Sequence, residues 1–261
     1  MNANAVLVDL GISDAGDLAR LEDIAWERGA LIRDAVIAGA EARLAVVGGR
    51  AVITVSANLN HARRRRFAIA HELGHFEMHK GDSGLSICVS DDIERPSPGR
   101  LRDEALRRES EANEFASHLL IPDRFSAEIV KGVAPTLDVV RELADRFNVS
   151  LTAAGIAYLR VCNEACAIAY SQDAQVRWFQ RSKDMEDYGL WISLGPIDQY
   201  TIASGFFRSR PIQRIPGRVD AVSWFAPGRF RTDGMIKEHS IAMPNYNAVL
   251  TLLWVDEDIF E

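Results

Sequence analysis

The run Phe67-Ala68-Ile69-Ala70-His71-Glu72-Leu73-Gly74-His75 carries two histidines four residues apart, with a glutamate directly after the first. On a helix, positions i and i+4 share a face, so both imidazoles can reach one ion. From the position after His71, the Glu72 carboxylate can take a proton from a water that the metal activates without itself being a ligand. His-Glu-x-x-His on a helix is the pattern of a hydrolytic zinc site, with His71 and His75 as ligands and Glu72 as general base. The competing reading is a solvent-facing helix with scattered histidines, and the apolar lead-in Phe67 to Ala70 argues against it.

A catalytic zinc needs a third protein ligand and one open position. Candidates sit in Arg107-Arg108-Glu109-Ser110-Glu111-Ala112-Asn113-Glu114-Phe115-Ala116-Ser117-His118, inside a second helical stretch, Arg102 to Leu120. Glu109 and Asn113 share a face, which suits a ligand plus an amide that fixes a histidine ring. Glu111 lies about 160° around the helix from Glu109, so only one of the two can face the metal. With Leu106, Phe115 and Leu119 as the inward markers, Glu109 and Asn113 fall near Leu106 and Glu111 nearer Phe115, and periodicity leaves Glu109 against Glu111 open. His79 continues the row beyond His75, as a fourth ligand, a contact behind the ligands or a helix-end cation. His118 reads as structural or exposed.

At this point the sequence resembles the ImmA/IrrE family of zinc metallopeptidases. His71 to His75 with His79, the lead-in Arg63 to Ala70, the two-strand run before it and the later Glu109-Ser110-Glu111-Ala112-Asn113-Glu114-Phe115-Ala116…Leu119-Leu120-Ile121-Pro122 carry the likeness, which covers about residues 1–160. The family pattern places its glutamate on Glu109, so the resemblance implies His71, His75 and Glu109 as zinc ligands, Glu72 as base, and Asn113 and His79 as contacts behind the ligands. It also implies a regulatory endopeptidase that cleaves a helix-turn-helix repressor. The alternative is a zinc-containing binding or sensor module, or one half of a toxin–antitoxin pair, that uses the rest of the chain to hold a ligand or nucleic acid. An intact Glu72 weighs against a pure binder.

The elements that must position these residues form an α+β pattern. Asp17 to Ala38 has helical apolar spacing. Ala42–Gly48 and Arg50–Ser56 read as a hairpin about Gly48-Gly49. Ala62–Lys80 reads as the metal-site helix, Asp82–Val89 as a short strand and Ser90–Arg100 as a loop. Thr136–Arg160 reads as two helices about Asn148-Val149-Ser150 and resembles a helix-turn-helix, but its second helix carries only Arg160, so a packing role fits better than DNA reading. Beyond Cys162 come β-rich runs: Ala165–Tyr170, Val176–Gln180, Trp191–Leu194, Val219–Phe225, Ser240–Met243 and Val249–Val255. These predict a mostly antiparallel sheet. The expected division is a zincin-like metallopeptidase domain over 1–134, a helical segment over 135–162 and a β-rich domain over 163–261.

Residues 201–237 hold Arg208, Arg210, Arg214, Arg218, Arg229, Arg231 and Lys237 against Asp220 and Asp233, with Phe206, Phe207, Trp224 and Phe230 interleaved. The six arginines could hold an acidic partner or nucleic acid. The alternative is loops around a sheet with aromatic core residues. Arg63 to Arg66 read as a solvated helix start. Cys162 and Cys166 read as small core residues, because no second pair accompanies them.

Composition narrows the class. The 261 residues carry 37 Asp and Glu against 30 Lys and Arg, a net charge of -7, which excludes a coat for nucleic acid. With three cysteines a disulfide scaffold is excluded and a reducing cytoplasm expected. No apolar run of about 18 residues appears, so no membrane span is expected.

Overall fold

The chain turns from helix to strand at Gly29, whose φ of 84° is a left-handed conformation that glycine adopts without steric cost. Before it lie α1 (Ala3–Asp9), a 3-10 turn over Ala15–Ala19 and α2 (Leu21–Glu27); after it comes β1 (Ala30–Ala35). The computed structural model describes residues 1–79, 85–88, 104–228, 230–256 and 259, with 85–88 as backbone only. The helix expected over Asp17–Ala38 therefore stops at Glu27. Leu31 and Ile32 are strand residues instead, because β1 pairs in parallel with the strand Arg50–Ser56, from Ala30 opposite Ala51 to Ala35 opposite Ser56. A distant ladder of backbone hydrogen bonds has overridden the local apolar spacing.

The hairpin takes its expected place. Strand β2 (Ala42–Val47) pairs antiparallel with β3 (Arg50–Ser56), with Val47 opposite Arg50. Gly48 and Gly49 between them sit at φ of 58° and 78°, the left-handed pair that a two-residue hairpin turn requires. Strand β4 (Leu85–Cys88) adds to the far side of β2, so the sheet order is β1-β3-β2-β4. Central β3 is rich in β-branched residues, and Ile53 and Val55 are fully buried.

Against this sheet lies α3 (Ala62–Met78), buried without a break from Ala68 to Glu77. A helix buried all round is enclosed by other elements rather than laid on a surface. Its companion is α4 (Glu104–Leu120), which buries Ala112, Phe115, Ala116, Leu119 and Leu120. Leu106, taken as an inward marker, is half exposed at 52%, because the buried stripe of α4 begins only at Ala112. Further on run α5 (Asp123–Val130), α6 (Leu137–Arg146) and α7 (Leu151–Val161), the last two matching the helix pair expected over Thr136–Arg160.

The chain falls into two compact units, Met1–Phe125 with Ala144–Ser150, and Ser126–Leu143 with Leu151–Glu261. In the second unit a six-stranded sheet contains β5 (Cys166–Gln172), β6 (Gln175–Arg181), β7 (Gly195–Pro196), β8 (Gly217–Asp220), β9 (Met235–Met243) and β10 (Ala248–Trp254). Its order is β7-β6-β5-β10-β9-β8, antiparallel at each pairing. Strand β10, buried at every position, lies inside the sheet, and an apolar run without alternation is what two covered faces produce.

Two expected strands are corrected. Trp191–Leu194 contributes a single bridge, Ile192 to Phe225, because Trp191 turns out over the Arg181 guanidinium, 3.9 Å from its ring centre. Val219–Phe225 is strand only to Asp220 and then winds into a 3-10 turn that buries Ala221. The expected loop over Ser90–Arg100, and residues 82–84 and 89 of the expected strand, lie outside the described residues.

Candidate metal centre

The first turn of α3 is pinned by its arginines. Arg64 pairs with Glu41, and Arg65 with Glu22 and, at 3.2 Å, with Asp34. Arg63 meets Asp145 at 2.7 Å, and Arg66 donates to the carbonyls of Leu18 and Ala19 at 2.9 and 3.1 Å. The solvated helix start expected for Arg63 to Arg66 is thus corrected. Four cations beside a helix N-terminus oppose its dipole, and carboxylates and carbonyls from neighbouring segments offset that. At the other end, buried Glu77 accepts from Arg28 at 2.7 and 3.2 Å.

Between these anchors His71 and His75 project toward α4. Nε2 of His75 lies 3.0 Å from Nε2 of His71. Glu109 places Oε2 3.2 Å from Nε2 of His71 and Oε1 3.3 Å from Nε2 of His75. One ligand atom from each of His71, His75 and Glu109 can be chosen within 4.8 Å of the other two. Among the described residues these form the single cluster of histidine, cysteine or acidic side chains that could hold a metal.

Geometry and chemistry both fit a metal ion. Tetrahedral zinc bonds of about 2.0–2.2 Å put neighbouring ligand atoms about 3.3–3.5 Å apart, close to the spacing of this cluster. Asn113 Oδ1 lies 2.9 Å from Nδ1 of His71, so Nδ1–H donates to the amide oxygen and the Nε2 lone pair is left facing the cluster. Oε2 of Glu109 is buried without a hydrogen-bond donor. Three electron pairs therefore converge where a cation is the missing partner.

Glu72 differs from Glu109 in kind. It is fully buried, and neither carboxylate oxygen has a hydrogen-bond partner. Burial, with the Glu109 charge added, pushes its pKa up to about 8. For Glu109 burial acts in the same direction, but contacts with His71 and His75 outweigh it and hold the carboxyl at about 2. One carboxylate thus stays ionised beside the imidazoles, while burial favours the neutral form of its neighbour.

The two glutamates that periodicity left open separate in the structure. Glu109 reaches His71 and His75, whereas Glu111 Oε2 lies 3.0 Å from Nε2 of His79. His79 caps α3 with non-helical angles, and its Nδ1 lies 3.2 Å from Nδ1 of His75. His79 therefore touches the cluster from behind. Residue types gave no signal for the Glu111–His79 contact, because it depends on where His79 leaves the helix. Spacing also could not reveal the role of Gly74, whose missing side chain admits α4. His118 is partly buried, 3.6 Å from Asp123 and 3.9 Å from Glu114.

Arg208, Arg210, Arg214, Arg218 and Arg231 are exposed, and Arg231 pairs with Asp233 at 3.0 Å. Arg229 lies outside the described residues. The interleaved Trp224 and Phe230 are core, with Phe206 and Phe207 packed against it, so these aromatics are not free stacking platforms. Cys166 is fully buried and Cys162 partly so. Among the described residues no helix is long and apolar enough to cross a membrane.

Known proteins place the chain further. A solved transcriptional regulator from Mycobacterium tuberculosis shares the fold with a TM-score of 0.57 at 14% identity, over 97% of this chain and 74% of that one. No curated protein matches the chain in sequence. The family model for the IrrE N-terminal-like domain of the M78 peptidases matches residues 31–157, a span that contains His71, Glu72, His75, Glu109 and Asn113. Residues 31–157 thus carry an IrrE N-terminal-like domain.

Proposed function

We propose that this protein is a zinc-dependent endopeptidase that cleaves a regulatory protein, a helix-turn-helix repressor. The observation that carries the reading is the buried, partnerless carboxylate of Glu72 next to the cluster of His71, His75 and Glu109. A protein that only stored or sensed a metal has no use for a second acid, buried and without hydrogen bonds, and leaving one costs stability.

When bound, zinc supplies Lewis acidity to the scissile carbonyl and the attacking water. His71 and His75 hold it through Nε2, and Glu109 through its carboxylate. Asn113 keeps the His71 ring in the tautomer that binds. Glu72, placed directly after His71, accepts the proton of the attacking water and returns it to the departing amine. The enclosed surroundings of α3 keep bulk water from Glu72.

The regulatory part of the reading is supported by the family resemblance and by the fold shared with a transcriptional regulator. A cytoplasmic location goes with it, as does use of the exposed arginines of the second unit to hold an acidic partner. The test is co-expression with a helix-turn-helix regulator encoded by a neighbouring gene, wild type against Glu72→Gln, read by mass spectrometry. One new cleavage in the regulator with wild type alone is the expected result. Equal intactness with both, in protein shown to hold zinc and to bind the regulator, overturns the peptidase reading in favour of a binding module.

A further inference from the structure

We infer that Glu111 is a positioning residue for the ligand His75 and acts through His79. The inference rests on the metal centre proposed above and adds a three-residue chain behind it. Glu111 Oε2 lies 3.0 Å from Nε2 of His79. Nδ1 of His79 lies 3.2 Å from Nδ1 of His75, and Nε2 of His75 faces the cluster, 3.0 Å from Nε2 of His71.

With His75 and His79 both neutral, and a metal rather than a hydrogen between the Nε2 atoms of His71 and His75, proton placement along this chain has one solution. An ionised carboxylate only accepts hydrogen bonds, so Nε2 of His79 carries its hydrogen toward Glu111. A neutral imidazole carries one hydrogen, which leaves Nδ1 of His79 as an acceptor. Of two facing nitrogens one must donate, so Nδ1 of His75 carries the hydrogen there. Nε2 of His75 is then bare and available to a metal. Without Glu111, His79 can take the opposite tautomer, present Nδ1–H to His75 and force the hydrogen of His75 onto the nitrogen that should bind.

Burial keeps the chain from dissolving into water. The His75 and His79 side chains are 8% and 12% exposed, while Glu111, at 34%, has Arg107 Nε 3.7 Å from its outer oxygen Oε1. The two ligand histidines are thus held by different means, His71 by the Asn113 amide and His75 by a carboxylate acting through a second imidazole. Groups behind a ligand that fix its tautomer typically change metal affinity by about 10- to 100-fold when removed.

The test measures zinc affinity of the full chain by competition with a chromophoric chelator, beside histidine tautomers in long-range nitrogen–proton NMR spectra of the zinc-free protein. Glu111→Ala is expected to weaken zinc by about 10- to 100-fold and to abolish the Nε2–H tautomer of His79. Glu111→Gln, whose amide oxygen still accepts, is expected to keep both near wild type. Because Glu111 acts through His79, adding Glu111→Ala to His79→Ala should weaken zinc no further. Wild-type affinity in Glu111→Ala, or additive losses in the double variant, overturns the chain while leaving the metal centre standing. Wild-type protein that takes up no zinc, or a His71→Ala variant that binds zinc unchanged, overturns the metal centre itself.

Discussion

Gly74 lies so close to Ala112 that a Cβ added to it would sit 3.1 Å from the Ala112 carbonyl oxygen and 3.1 Å from Cβ of Phe115. A position inside the His-Glu-x-x-His run that offers no ligand atom thus sets how near α3 and α4 approach, and with that the distance from His71 and His75 to Glu109. Gly74→Ala gains about 1 kcal/mol of helix propensity, but the carbonyl it meets is backbone and cannot turn aside. The expected outcome is a net loss of about 1–3 kcal/mol with weaker zinc binding, measured by denaturant unfolding and chelator competition. Gly155→Ala is the control. The three atoms nearest its added Cβ all belong to the Ile168 side chain, the first at 3.2 Å, which can shift, so stability should stay within about 1 kcal/mol of wild type. Equal losses in the two variants would refute the distinction.

Glu72→Gln replaces a buried carboxylate that has no hydrogen-bond partner. Burial raises its pKa to about 8, so in the zinc-free protein at neutral pH it is mainly the neutral acid, and the variant should keep the zinc-free melting temperature close to wild type. It should also take up zinc normally. Peptide cleavage should fall by about 10²- to 10⁴-fold, the usual contribution of a general base. A variant that unfolds, or that cleaves at the wild-type rate, would contradict the role given to Glu72.

Glu109→Gln removes a charged ligand, while Asn113→Ala removes only the acceptor behind His71. Zinc affinity should therefore fall further in Glu109→Gln than in Asn113→Ala, the latter losing about 10- to 100-fold. The reverse order in a competition titration would show that the register of α4 over the histidines has been misjudged.

His239 gives the second unit a pH dependence. It is buried, accepts from the Leu137 backbone N–H at 3.0 Å through Nδ1, and donates to the Arg214 carbonyl at 3.1 Å through Nε2. Burial holds its pKa below the ordinary histidine value. Below about pH 6.5 the unfolded chain binds a proton that the native ring refuses, so stability is lost as pH falls through that value. Neighbouring Glu238, raised by burial, contributes with the opposite sign, since its native state takes up a proton before the unfolded chain does. The difference between wild type and His239→Gln isolates the histidine. Unfolding free energy measured from pH 7.5 to 5 should decline more steeply in wild type. Parallel curves would remove His239 as the cause.

The chemistry of the site was legible in the sequence because a helix repeats every 3.6 residues. Two histidines four apart must share a face wherever the helix lies, and that holds for His71 and His75. The Gly48-Gly49 hairpin was legible for a similar reason, since its backbone angles are a local property of glycine. What tertiary structure decided were relations between elements. Leu31 and Ile32 became strand because β3, twenty residues on, supplied a ladder. Glu109 and Glu111 are equivalent as residue types, and only the approach of α4 to α3 at Gly74 put the first beside His71 and His75 and the second on His79. Phe206, Phe207, Trp224 and Phe230 among arginines could equally line a surface or a core. The sheet of the second unit drew them inward, because burying aromatic area releases more free energy than any exposed placement offers.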